Sequence, residues 1–289
     1  MSLLSRWFTA TSDVLTVAVL GRRRVETTPP PAPPVSPVSP LQDIGARLRS
    51  DESDVRMDGL RDWVAFGESL AEHRQPALDE LCAVLRDLPW PGTQVDQRWR
   101  MVLQATLAAR LRPGPGFWLG CDLDLRHTTL VDFDLSACRP RTVRFDGTRF
   151  LGDTRFDQAT FLGGFDASGA FFERHVQFTG SVFARGLGLR GVAVCGNGEL
   201  SHIHVAGPVV LGRARFSGRA DFTGARFGSE MDCSFVRFGG RAVFRRAWFA
   251  GVSSFAGTWF RGREDFVEAS FGGESSFENT RFGHRVHAD

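Results

Sequence analysis

The residues able to do acid–base, metal or nucleophile chemistry are few and scattered. Two close histidine pairs occur, His202-Ile203-His204 and His284-Arg285-Val286-His287. A metal site would need Cys, His or carboxylate partners at ligand spacing beside them, and neither pair has any. A pair of surface imidazoles is the alternative reading. The five cysteines, Cys82, Cys121, Cys138, Cys195 and Cys233, are odd in number and form no CxxC pair. That pattern suits reduced thiols in a cytosol rather than a disulfide framework or a zinc site. No GxSxG, phosphate-binding loop or dinucleotide fingerprint stands in its required context. The expectation is a chain with no catalytic residue, no metal and no cofactor.

Arginine is the residue type left to carry a function. Every one of the 35 basic residues is Arg, set against 33 acids for a net charge of +2. Such a balance argues against both an acidic DNA mimic and a strongly basic nucleic-acid binder. The chain has 289 residues, 42% of them apolar, with a mean hydropathy of -0.15. No segment approaches the ~18 uninterrupted apolar residues of a bilayer-spanning helix.

Composition divides the chain into an arm and linker (1–40), a helical domain (41–112) and a repeat domain (113–289). Residues 1–24 place Leu3, Leu4, Trp7, Phe8, Leu15, Ala18 and Val19 at helical spacing ahead of Arg22-Arg23-Arg24. They fit a helix lying weakly on a membrane surface, and equally a frayed tail or a helix docked on its own protein. The run TTPPPAPPVSPVSP over 27–40 holds half of the 14 prolines and reads as a semi-rigid spacer. Leu78, Leu81, Leu85 and Leu88 behind Pro76, the Leu60-Trp63-Val64 group, and Val102, Leu103, Leu107 and Leu111 predict a bundle of about four helices.

Beyond residue 113 one pattern dominates. Steps of 11 from Phe145 and from Phe150 reach 26 positions, all of them apolar and 19 of them Phe, with no break in register. Chance would give this roughly once in 10¹⁰ trials. Two residues before the centre the side chain is mostly small or aliphatic (Val143, Thr148, Ala159, Ala170, Ala214); two residues after it, Gly fills 15 of the 26 places. Upstream the rhythm runs in fives through Leu125, Leu130, Leu135 and Pro140. A chain that turns every five or six residues must wind, each coil bonded to the last about 4.8 Å away.

Segments such as RADFTGARFGSE (219–230) and SSFAGTWFRG (253–262) resemble the pentapeptide-repeat family in its Phe-rich form. The resemblance covers roughly 117–283, and IGARLRSDESDVRMDGLRDW (44–63) is similar to a helical module found before such repeats in bacterial proteins. It implies an all-β solenoid, a right-handed quadrilateral β-helix of six to seven coils, preceded by a small α-helical domain. Some relatives protect DNA gyrase by mimicking DNA with an acidic rod, but residues 141–289 carry 19 Arg against 15 acids.

The implied fold turns the residue before each centre outward. Those in the Phe150 series include Arg149, Arg215, Arg226, Arg237 and Arg281 with no acid, and Trp248 and Trp259 join them. The Phe145 series instead carries Asp166, Glu199, Asp221, Asp232 and Asp265 against Arg144 and Arg155. The expectation is a noncatalytic, cytoplasmic interaction scaffold whose Arg/Trp column meets an acidic partner, either an unidentified protein or a phosphate backbone. A solvated face with Trp shielding Arg stems is the plainer reading. The alternatives are a peripheral membrane protein held by its first helix, or a topoisomerase-directed mimic. The last coil has no evident cap, which allows a homodimer through the solenoid end. Two irregularities stand out: the centres shrink to Leu and Val over 186–212, and Glu264 occupies an inward position.

Overall fold

The computed structural model describes residues 39–283. The arm over 1–24, nearly all of the proline-rich run and the His284/His287 pair lie outside the described residues. Helix α1 (Pro40–Leu48) starts with a reciprocal cap: the Gln42 N–H donates to Ser39 Oγ and the Ser39 N–H to Gln42 Oε1, both at 3.2 Å. Helix α2 (Ser53–Ser69) leads through a 3-10 turn at Ala71–His73 into α3 (Arg74–Asp87). Helix α4 (Gln94–Leu111) opens on a second such cap between Thr93 and Asp96. The predicted Leu78, Leu81 and Leu85 are fully buried. Trp63 is buried as well, giving its Nε1–H to the Ala77 carbonyl at 2.6 Å.

From Leu123 to Phe282 the chain is a parallel β-solenoid of about 7 turns with four faces. The first face, from Leu123–Asp124 to Ser275–Ser276, and the second, from Thr129–Val131 to Arg281–Phe282, hold 8 strands each. The third, from Thr154–Arg155 to Glu264–Asp265, and the fourth, from Thr160–Phe161 to Ser270–Phe271, hold 6 each. Partners are 22 residues apart, as in Phe150 with Phe172 and Phe238 with Phe260. The first coil is shorter: Leu130 pairs with Phe150, 20 residues on, as four steps of five require.

The centres point inward and stack. Ring centroids are 4.5 Å apart for Phe150–Phe172, 4.8 Å for Phe156–Phe178 and 4.7 Å for Phe222–Phe244, close to the spacing of neighbouring strands. Two inward hydroxyls bond to the coil below, Thr148 Oγ1 donating to the Leu125 carbonyl at 2.6 Å and Thr258 Oγ1 to that of Cys233 at 2.5 Å, while the buried Thr154 Oγ1 has no partner. Between Phe183 and Phe216 the aromatic stack gives way to Leu189, Val194, Leu200, Val205 and Leu211, with the register unchanged. There the Phe216 ring fills the room at Gly198, 3.0 Å from where a Cβ would stand. At Glu264 the strand pairing also continues undistorted, opposite Ala242, and Glu264 Oε2 is left without a hydrogen-bond partner.

Glycine serves two different corners. After a five-residue step the third turn residue has positive φ, as at Gly147 (φ 62), so glycine is favoured there by conformation. After a six-residue step the backbones touch: a Cβ at Gly240 would lie 2.5 Å from the Gly218 carbonyl oxygen.

The helices seal the N-terminal end of the coil stack. Gln104 of α4 takes the place of a missing strand, giving Nε2–H to the Val131 carbonyl at 2.7 Å and accepting the Val131 N–H at 3.0 Å. Gln75 treats Asp122 alike, at 3.1 and 2.7 Å. Arg100, almost fully buried, donates to the carbonyls of Leu85, Leu88 and Thr129. Gln104→Leu would leave the Val131 N–H and C=O buried and unpaired. The expected loss is about 1–3 kcal/mol, read as a lower urea midpoint at unchanged circular dichroism.

Candidate functional site

The second face places Arg149, Phe171, Ala193, Arg215, Arg237, Trp259 and Arg281 in one outward column, each opposite the next across adjacent strands. Arg226 and Trp248 lie together on the fourth face, on the opposite side of the rod. The seven sequence-derived residues therefore form three groups. Arg149 stacks over Phe171, its guanidinium 5.8 Å from the ring, and Ala193 separates that pair from Arg215. Arg215, Arg237, Trp259 and Arg281 are contiguous.

Around them is a groove of about 470 Å³ lined by Arg215, Phe216, Ser217, Arg237, Gly239, Trp259 and Arg261. No carboxylate lines it, and none of its arginines is ion-paired among the described residues. Arg261 lies over the Trp259 ring at 5.4 Å. One flank is open because the corner beside it is built from stacked Gly196, Gly218, Gly240 and Gly262. At the other corner stands Phe235, 61% exposed with φ 59. That conformation costs an aromatic side chain about 1–3 kcal/mol. Its ring covers the next coil's turn, 2.7 Å from where a Cβ at Gly257 would be. Arg261 and Phe235 escaped the sequence reading, which sought outward binding groups only at the residue before a centre. Phe235 does carry a signal: an aromatic stands where Gly147, Gly169, Gly191 and Gly257 occupy the equivalent place.

The acidic series has a local cause. Asp134, Asp166, Asp221, Asp232 and Asp265 each accept the backbone N–H two residues on, at 2.7–3.1 Å, capping the turn that follows. The Val267 N–H, with Arg245 and Arg241 behind it, holds Asp265 below the usual carboxylate range. Alternation of sign between faces thus arises on the acidic side from turn chemistry, while the arginines of the second face cap nothing. A second groove of about 410 Å³ on the first face mixes Arg126, Arg144 and Arg185 with Asp146 and Asp166, so its charges offset one another.

Reactive groups are few among the described residues. Burial pushes the Cys82 and Cys138 thiols up to about 12 and the Cys233 thiol well above its ordinary value, so none is a ready thiolate. His202 leans over Gly224 and His204 faces outward beside Arg226. Among the described residues no group of three or more His, Cys, Asp or Glu side chains is placed to hold a metal ion, and no helix is long and apolar enough to cross a membrane.

At the far end of the rod the centres emerge. Phe277 is 38% and Phe282 49% exposed, and Phe266 and Phe271 are partly covered.

The family model described as pentapeptide repeats (9 copies) matches residues 141–192. No curated protein and no solved structure gives a significant match to the chain.

Glu199 supplies a test of this electrostatic account. Burial raises its carboxyl above the ordinary 4.5, Asp221 on the next strand adds to the shift, and Arg219 opposes it. The folded state therefore holds this proton more tightly than the unfolded chain, and stability is lost as pH rises through the folded value. Glu199→Gln is expected to raise the thermal midpoint near pH 7. The gain should vanish below the ordinary glutamate range, as followed by melting curves across the acid region.

Proposed function

We propose that this pentapeptide-repeat β-solenoid is a noncatalytic scaffold whose second face docks an acidic polypeptide. The observation that carries the reading is the acid-free ribbon of Arg215, Arg237, Trp259 and Arg281, flanked by Arg261 and Phe235. Elsewhere on the rod acids offset part of the arginines: Arg219 pairs with Asp221, Arg241 and Arg245 with Asp265, Arg246 with Glu268, whereas single arginines such as Arg155 and Arg226 have no ion pair among the described residues. On the ribbon that neutralisation is left to a partner. Exposed Trp beside Arg is the pairing enriched where interfaces concentrate their binding energy, and the rigid coils hold the groups in place without a folding cost. A Glu-rich labelled peptide should bind the full chain, weaken as salt rises, and lose at least tenfold in affinity with Arg215→Glu/Arg237→Glu. Arg226→Glu, on the opposite face, should leave binding unchanged. Equal losses from both variants would reduce the effect to net charge.

The open C-terminal coil favours a second copy of the chain as its cover. Among the described residues Phe277 and Phe282 are exposed there and Phe266 and Phe271 only partly covered, an apolar face that a second copy can bury against its own. Because α1–α4 block the other end, pairing would be isologous and close at two rather than run on as a fibre. Phe277→Asp/Phe282→Asp is expected to convert a dimer to a monomer in sedimentation equilibrium with the solenoid intact. A wild-type chain that is already monomeric at the highest concentration would overturn the pairing.

A further inference from the structure

The groove of the second face is more specific than a basic patch. Arg215, Arg237 and Arg261 all line one cavity of about 470 Å³, with Ser217 and Trp259 on its walls and Phe216 behind it. Arg215 and Arg237 stand in register on neighbouring strands, a spacing of about 4.8 Å at which like charges oppose each other. Arg261 is steadied by Trp259 at 5.4 Å, so its planar fork is already oriented. We infer that this groove binds a phosphoryl group carried on a polypeptide; the inference rests on the second face being the docking surface.

Charge count selects the ligand. One carboxylate offsets one of the three guanidiniums. A phosphoryl monoester brings about -1.5 to -2 at neutral pH and three acceptor oxygens, enough to engage several forks at once and to bridge the Arg215–Arg237 pair. Length selects its carrier. The ribbon from Arg215 to Arg281 spans four coils, roughly 14 Å, with Trp259 in place of one cation, and is interrupted on its other side by Ala193 and Phe171. A nucleic-acid backbone needs a longer basic stripe, with a cation for each successive phosphate. A polypeptide offers a single phosphate with apolar neighbours, and Phe235 and Trp259 stand exposed on either side to meet them.

The test uses the full chain and four labelled probes in fluorescence anisotropy. Three are peptides identical except for a central phosphoserine, glutamate or serine between two leucines; the fourth is single-stranded DNA. The phosphoserine peptide is expected to bind at least tenfold more tightly than the glutamate peptide. Arg261→Lys, which keeps the charge and loses the fork, should remove most of that difference while melting as the wild type does. Equal affinity for phosphoserine and glutamate would overturn the phosphoryl assignment and leave the acidic-partner reading standing. DNA binding tighter than the phosphopeptide would overturn the polypeptide carrier. Failure of all three peptides would overturn both readings.

Discussion

Backbone hydrogen bonding between successive coils fixes a rise of about 4.8 Å, and the rest of the molecule follows from that number. Aromatic rings can stack at this distance, which is why the inward column is filled so well by Phe and why centroid separations of 4.5–4.9 Å recur along it. Outward side chains inherit the same rise. Whatever residue occupies an outward place has its neighbour one coil away, so a face is a ruler on which charges are set in line. The Arg215–Arg237 pair is costly on such a ruler and Arg149 over Phe171 is comfortable.

The inward half of this design is legible in the amino-acid sequence because it is periodic. A phenylalanine every 11 residues, with a small residue two places earlier, has only one way to be buried. Even the short first coil is visible, through Leu125, Leu130, Leu135 and Pro140. The column of Arg215, Arg237 and Trp259 follows from the same arithmetic. What escapes is whatever depends on a corner or on the helices. That Asp221 and Asp265 are turn caps requires knowing where the N–H groups of Thr223 and Val267 point. The place of Arg261 beside Trp259 depends on the path of a six-residue corner. Gln75 and Gln104 look like ordinary helix residues until the helices are laid across the first coil.

The two glycine corners show how one residue type answers two constraints. Gly147 is required by the direction of the chain and Gly240 by the closeness of its neighbour. At the second kind of corner the stacked glycines leave one side of the rod bare of side chains. The arginine groove opens beside that bare strip, so backbone packing sets the shape of the surface.

Among the described residues the rod is sealed at one end and open at the other, and this gives it a direction. Its first coil is anchored by Gln75, Arg100 and Gln104 and cannot peel away without unpacking the helices. The last coil is held on one side only, so unravelling starts there and travels inward, one coil at a time. Trp259 and Arg261 lie one coil inside that loose margin. The firmness of the groove is therefore borrowed from whatever covers the open end, and covering it would sharpen recognition several ångströms away with no change in the groove itself.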